Sequence, residues 1–154
     1  MSKKNGHLRE RLVGAWGLVS YVERPVRGGE DRHPLGVEPQ GIIMYTPDGY
    51  MSAQLMRPGR PPYASGDWFE ASDAEAQEIA SGYIAYSGPF RVASDGTLTH
   101  SMSVSLYPNW LGQTQPRIVE LDGDTLRLST ASPIRSGGIE VNSYLTWRRL
   151  LPGS

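Results

Sequence analysis

At 154 residues, 38% of them hydrophobic, the chain is long enough for one domain built around a core or a walled cavity. Its formal net charge of −1, with both signs interspersed, gives no general field to attract nucleic acid or an anionic membrane, and no apolar run approaches the roughly 18 residues that span a bilayer. The absence of Cys excludes thiol catalysis, disulfides and thiolate metal centres, and three histidines with no His-x-His or His-Glu-x-x-His pair leave neither a metal nor a cofactor to expect. Both lysines, Lys3 and Lys4, lie near the N-terminus, so a buried Schiff-base or P-loop lysine is not expected in the folded body.

Residues 1–11 are polar and lack the apolar stretch of a secretory signal; they read as a polar tail of a cytoplasmic protein, with a single domain over residues 12–150. Eighteen Gly and twelve Pro are ordinary for many short strands joined by turns. Strands are expected at 12–22 and 27–35, then on either side of Thr46-Pro47-Asp48-Gly49. Next, Arg57-Pro-Gly-Arg-Pro-Pro-Tyr-Ala-Ser-Gly66 is too rich in Pro and Gly for a strand, and Ser72-Asp-Ala-Glu75 is a capping box that opens a short helix ended by Gly82. This long connection reads as a lid over a barrel mouth or, alternatively, as a helix that plugs the barrel. Beyond it come strands at 83–93, 97–106, 117–121, 125–129 and 138–149, with Asp95-Gly96 and Asp122-Gly123 as tight hairpin turns. The pattern is all-β: a closed antiparallel up-and-down β-barrel of 8–10 strands with one short helix in a lid-like insert.

Alternation assigns the faces. Over Thr97–Leu106 the even positions Leu98, His100, Met102, Val104 and Leu106 form the apolar face, which carries His100 into the barrel. On Tyr50–Met56, the set Tyr50, Ser52, Gln54 and Met56 opposes Met51, Ala53 and Leu55; if the latter pack on the helix, the former line a semi-polar cavity. Trp110, on the loop Leu106-Tyr-Pro-Asn-Trp-Leu-Gly112, is placed to close over an apolar ligand. The candidate ligand-binding residues are therefore Tyr50, Gln54, Tyr86, His100, Met102, Trp110 and Arg117. His100 is the candidate general base or ligand anchor, because burial without a carboxylate leaves a histidine neutral; the alternative is a core histidine with both nitrogens satisfied.

The ends of the domain carry a further signal. Gly14-Ala15-Trp16 heads the first strand and Trp147-Arg148-Arg149 closes the last, so Trp16 under Arg148 or Arg149 can plug the closed end through a cation–π contact. That arrangement resembles lipocalins and their calycin relatives. Leu35-Gly36-x-x-Pro39-x-Gly41, Tyr45-Thr-Pro-Asp-Gly-Tyr-Met-Ser-Ala-Gln54, Tyr83-Ile-Ala-Tyr-Ser-Gly88, Leu106-Tyr-Pro-Asn-Trp110 and Glu120-Leu-Asp-Gly-Asp-x-Leu126 are together similar to the bacterial and fungal lipocalin-like domain family, from about Leu12 to Arg149. The resemblance implies a closed barrel with a small-molecule cavity. On this basis the expected function is binding of a small hydrophobic or polyketide-like molecule. The alternative is a cofactor-independent cyclase or isomerase acting in the same cavity, and a third reading is an adaptor with a filled barrel and no ligand.

Overall fold

The computed structural model describes residues 3–152. Helix α1 (Lys3–Leu12) precedes strands β1 (Gly14–Pro25), β2 (Gln40–Tyr45) and β3 (Tyr50–Met56). Helix α2 (Asp73–Ser81) leads into β4 (Tyr83–Val92), β5 (Leu98–Ser101) and β6 (Val104–Ser105), followed by a single 3₁₀ turn at Pro108–Trp110. Strands β7 (Thr114–Asp122), β8 (Thr125–Thr130), β9 (Ile134–Ser136) and β10 (Ile139–Arg149) complete the chain. Eight strands form the ring β1-β2-β3-β4-β5-β7-β8-β10, with β6 added on β4 and β9 on β10. Antiparallel pairing of β1 with β10, from Trp16 opposite Arg149 to Pro25 opposite Val141, closes the barrel and leaves the ring no free edge. The Asp-Gly turns fall where the sequence puts them, between β2 and β3, β4 and β5, and β7 and β8. Among the described residues no helix is long and apolar enough to cross a membrane.

Four sequence expectations are corrected. Residues 3–11 of the expected polar tail form α1, together with Leu12 of the expected first strand. Its two apolar residues Leu8 and Leu12, four apart on one face, pack against the core, while Arg9 donates to the carbonyl of Pro47 at 3.2 Å and lies 5.4 Å from the Phe90 ring centroid. Two leucines make a stripe too thin to be read from sequence. The strand expected at 27–35 is a loop with a β-bridge to β1 at Glu23–Arg32 and an ion pair at Arg24–Asp31, because β1 itself runs on to Pro25 and Gly28 and Gly29 then turn the chain.

The strand expected over 97–106 is broken. Register between β4 and its neighbours slips by one residue between the Phe90–His100 and Ser87–Val104 pairs. Gly88 lies under this slip, where a Cβ would sit 1.9 Å from the Ser101 carbonyl, so only glycine lets the chain cross there. The slip reverses the faces: Leu98, His100 and Met102 point inward, whereas Val104 and Leu106 are exposed. A bulge at Val19 does the same in β1, so that Trp16 and Leu18 but then Tyr21 and Glu23 face the core. The fourth correction concerns the insert. Its capping box forms as expected, with Ser72 Oγ accepting from Glu75 N at 3.2 Å and Glu75 Oε1 from Ser72 N at 2.8 Å, yet α2 buries none of its residues. The insert lies against the β1–β2 loop, to which Arg57 donates at the Pro34 carbonyl, 3.1 Å away.

One end of the barrel is shut by a cluster around Trp16. Its indole Nε1 donates to the Leu12 carbonyl at 2.9 Å, and the Arg149 guanidinium lies 4.2 Å from its ring centroid. Arg149 also donates to the carbonyls of Val13, at 3.0 Å, and Arg11, so it binds the C-terminal end of α1, where a cation is favoured. Arg148 points the other way and is exposed. Replacing Arg149 by Met removes both the cation–π contact and the caps, and urea unfolding is expected to show a loss of about 2–3 kcal/mol. Arg148→Met is expected to stay within about 0.5 kcal/mol of the parent. Equal effects from the two changes would contradict this picture of the closed end.

Candidate ligand-binding cavity

The opposite end holds a cavity of about 460 Å³. Ile43, Leu55, Leu128, Leu145 and Trp147, from β2, β3, β8 and β10, supply its apolar wall. These positions alternate with outward-facing ones on their strands, so hairpin register alone brings them together. Tyr21 and Tyr86 add aromatic surface from β1 and β4, while Tyr107 and Trp110 reach in from the loop before β7. The three aromatics on that side stack edge to face, Tyr86 with Trp110 at 5.6 Å and Trp110 with Tyr107 at 5.4 Å between ring centroids. Ile134 and Arg135 of β9 complete the lining. No residue between Arg57 and Gly82 contributes, so the expected lid is replaced by the 107–113 loop and β9.

A chain of side chains fixes that loop. Arg117 Nη2 donates to Gln115 Oε1 at 2.8 Å, Gln115 Nε2 to Gln113 Oε1 at 2.9 Å, and Gln113 Nε2 to the Asn109 carbonyl at 3.1 Å. All three side chains line the cavity. Gln113 and Gln115 escaped the sequence reading because glutamine at a strand start carries no signal until its partners are known.

Behind the wall lies a buried polar trio. His100 is fully buried, with Nε2 2.8 Å from the Tyr45 hydroxyl and Nδ1 3.4 Å from the Tyr86 hydroxyl. Burial above all, and then the positive charge of Arg117, push its pKa down to about 3. Burial likewise raises Tyr45 well above the ordinary phenol range, so both groups stay neutral. On the far side Tyr21 donates to Glu23 Oε2 at 3.3 Å, and its pKa is raised by burial and by that carboxylate. The Ser143 hydroxyl and the Trp147 N–H, on β10 beside the cavity, are buried without a hydrogen-bond partner among the described residues.

The candidate residues thus divide. Tyr86, Trp110 and Arg117 line the cavity. His100 and Met102 face inward but are wholly buried and lie outside the lining, His100 behind Tyr45 and Tyr86. Tyr50, 56% exposed, and Gln54, which accepts from the Tyr83 hydroxyl at 2.6 Å, are on the outer surface. The reason is that Met51, Ala53 and Leu55 pack into the barrel rather than on α2, which puts the alternate set of β3 outside.

The depressed pKa of His100 makes a prediction about stability. Unfolded, it would take up a proton near pH 6.5; folded, it does so only near 3, so its contribution is complete above 6.5 and is lost as pH falls towards 3. Between those limits the loss approaches about 1.4 kcal/mol per pH unit. Urea unfolding at pH 7.5, 6 and 5 should show His100→Gln less stable than the parent at pH 7.5 but with a shallower decline on acidification. Parallel declines would mean that His100 takes up its proton as readily in the folded protein as in the unfolded chain.

The matching family model agrees with this architecture. The lipocalin-like domain family matches residues 13–150. The 4'-hydroxy-3'-methoxypropiophenone carrier protein ppsC of Aspergillus oryzae is 43% identical over 107 residues, 65% of this chain and 96% of that protein. A crystal structure of a Bacteroides eggerthii protein superposes with a TM-score of 0.46 at 14% identity, covering 90% of this chain and 99% of that one. The family match spans almost the whole barrel, from the strand that carries Trp16 to the residue after Arg149, and the chain belongs to the lipocalin-like domain family.

Proposed function

We propose that the chain is a cytoplasmic carrier that holds one small, largely apolar aromatic molecule, of the phenolic aryl ketone or related polyketide type, in its barrel. The cavity carries this reading. About 460 Å³ lies within the range of small-molecule sites, and its walls combine aliphatic and aromatic side chains with a few placed polar groups. Tyr86 and Trp110 offer two ring faces at right angles, which suits a flat aromatic guest. The fungal relative named as a carrier of 4'-hydroxy-3'-methoxypropiophenone supports the ligand class. No observation favours the cyclase or isomerase alternative: the lining holds no histidine, aspartate or glutamate to act as a general base.

The test is a titration with 4'-hydroxy-3'-methoxypropiophenone, followed by calorimetry and by tryptophan emission. We expect one site per chain and quenching, since Trp110 and Trp147 both line the cavity. Leu145→Trp fills the space and should weaken binding at least about tenfold, equivalent to about 1.4 kcal/mol. No binding, or binding indifferent to Leu145→Trp, would count against the carrier reading.

A further inference from the structure

The polar atoms that face the cavity are not a balanced set of donors and acceptors. The Tyr45 hydroxyl is buried and, among the described residues, has a single hydrogen-bonding neighbour, His100 Nε2. Were its proton directed anywhere else, a donor would be buried unpaired, so Tyr45 donates and Nε2 is the bare nitrogen. A neutral imidazole then carries its hydrogen on Nδ1, which points at the Tyr86 oxygen. Tyr86 accepts there, and its own hydrogen is left to face the cavity that it lines. Tyr86 is therefore a donor towards the ligand.

Arg117 adds to this. It lies opposite Leu98 of β5, one inward-facing position along from His100, whose Nδ1 meets the Tyr86 hydroxyl, and it lines the same cavity as Tyr86. The glutamine oxygens each already accept one hydrogen bond, Gln115 Oε1 from Arg117 and Gln113 Oε1 from Gln115. Arg135 supplies a second cation at the mouth, with Glu140 of β10 as its cross-strand partner. Among the described residues no carboxylate lies within 4.0 Å of either arginine, and no acidic side chain lines the cavity. The titratable groups facing the cavity are thus Arg117 on β7, Arg135 on β9, Tyr86 on β4, Tyr21 on β1 and Tyr107 on the loop. Behind them, Tyr45 and His100 stay neutral, and Glu23 sits beyond Tyr21 with Arg32 at 3.9 Å on its other oxygen. A cavity with apolar walls, two cations and an outward-facing phenol hydrogen favours negative charge on its guest.

We propose that the cavity binds its ligand as an oxyanion on an aromatic body, an ionised phenol or a carboxylate, received by the Arg117 guanidinium and the Tyr86 hydroxyl, with Tyr45 setting the direction of the Tyr86 donor through His100. This rests on the carrier reading and goes beyond it, because an apolar cavity alone would prefer the neutral form of the same molecule.

Three probes separate the possibilities when each is titrated into the full chain between pH 5.5 and 9. They are 4'-hydroxy-3'-methoxypropiophenone, its O-methyl ether 3',4'-dimethoxypropiophenone, which cannot ionise, and 3-(3,4-dimethoxyphenyl)propanoate, a carboxylate on a similar ring. The phenol is expected to bind more tightly as pH rises and, once ionised, about tenfold more tightly than the ether, whose affinity stays flat. Its phenolate absorption should appear in the complex at least about one pH unit below the free molecule. The carboxylate arm tells whether the site accepts any oxyanion: about tenfold tighter binding than the ether means that it does. Arg117→Gln, checked for fold by circular dichroism, should remove the rise with pH, and Tyr86→Phe should reduce it. If phenol, ether and carboxylate bind alike at every pH, or the phenol weakens as it ionises, the oxyanion proposal fails while the carrier reading stands. If none of the three binds, both fail.

Discussion

Closure of the β1–β10 seam is the constraint on which the rest of this molecule depends. A ring of eight strands encloses a cavity only if its first and last members pair, and here they do so across almost the whole length of both. The Arg149 guanidinium locks that seam at its shut end. It covers the Trp16 ring at 4.2 Å and binds the carbonyls that terminate α1, so strand, partner strand and helix meet at one side chain. The guanidinium suits this post because it can stack on an indole and donate to several carbonyls at once, which an ammonium cannot do in the same geometry. With that end filled, the space between the sheet walls survives only at the other.

The polar interior follows from the same architecture. Inward-facing positions of an antiparallel barrel cannot all be apolar if the cavity is to hold a molecule in one orientation, and each buried polar group must then be satisfied. Tyr45, His100 and Tyr86 meet that demand among themselves, from three different strands, without a charge. His100 thereby becomes a positioning residue. It does not reach the cavity, but it fixes which way the Tyr86 hydroxyl points. The glutamine chain from Arg117 to Asn109 does the corresponding work at the mouth, tying the aromatic loop to β7.

Much of this was readable in the sequence where the signal is local. Asp48-Gly49, Asp95-Gly96 and Asp122-Gly123 define hairpins through the backbone they impose, and Ser72 with Glu75 defines the start of α2. The terminal Trp and Arg motifs pointed to a closed barrel because closure brings chain ends together. What escaped were one-residue irregularities. A bulge at Val19 or between Ser101 and Ser103 leaves the composition of a strand unchanged while reversing its faces, so Val104 and Leu106 were assigned inside. Tyr50 and Gln54 fall on the other face for a related reason: both faces of β3 carry apolar residues, and only its register between β2 and β4 in the closed barrel decides between them. The Tyr45–His100 contact joins residues 55 apart in sequence and has no local signature.

The most direct measurement of the central claim, that the barrel interior is the binding site, is a set of nuclear Overhauser contacts between bound 4'-hydroxy-3'-methoxypropiophenone and the methyl groups of isotopically labelled protein. Contacts from its ring protons to Ile43, Leu55, Leu128 and Leu145, which line the cavity, are expected, with none to the outward-facing Ile42, Val104 and Ile118. Contacts confined to the outer set would place the ligand on the barrel surface and contradict the account.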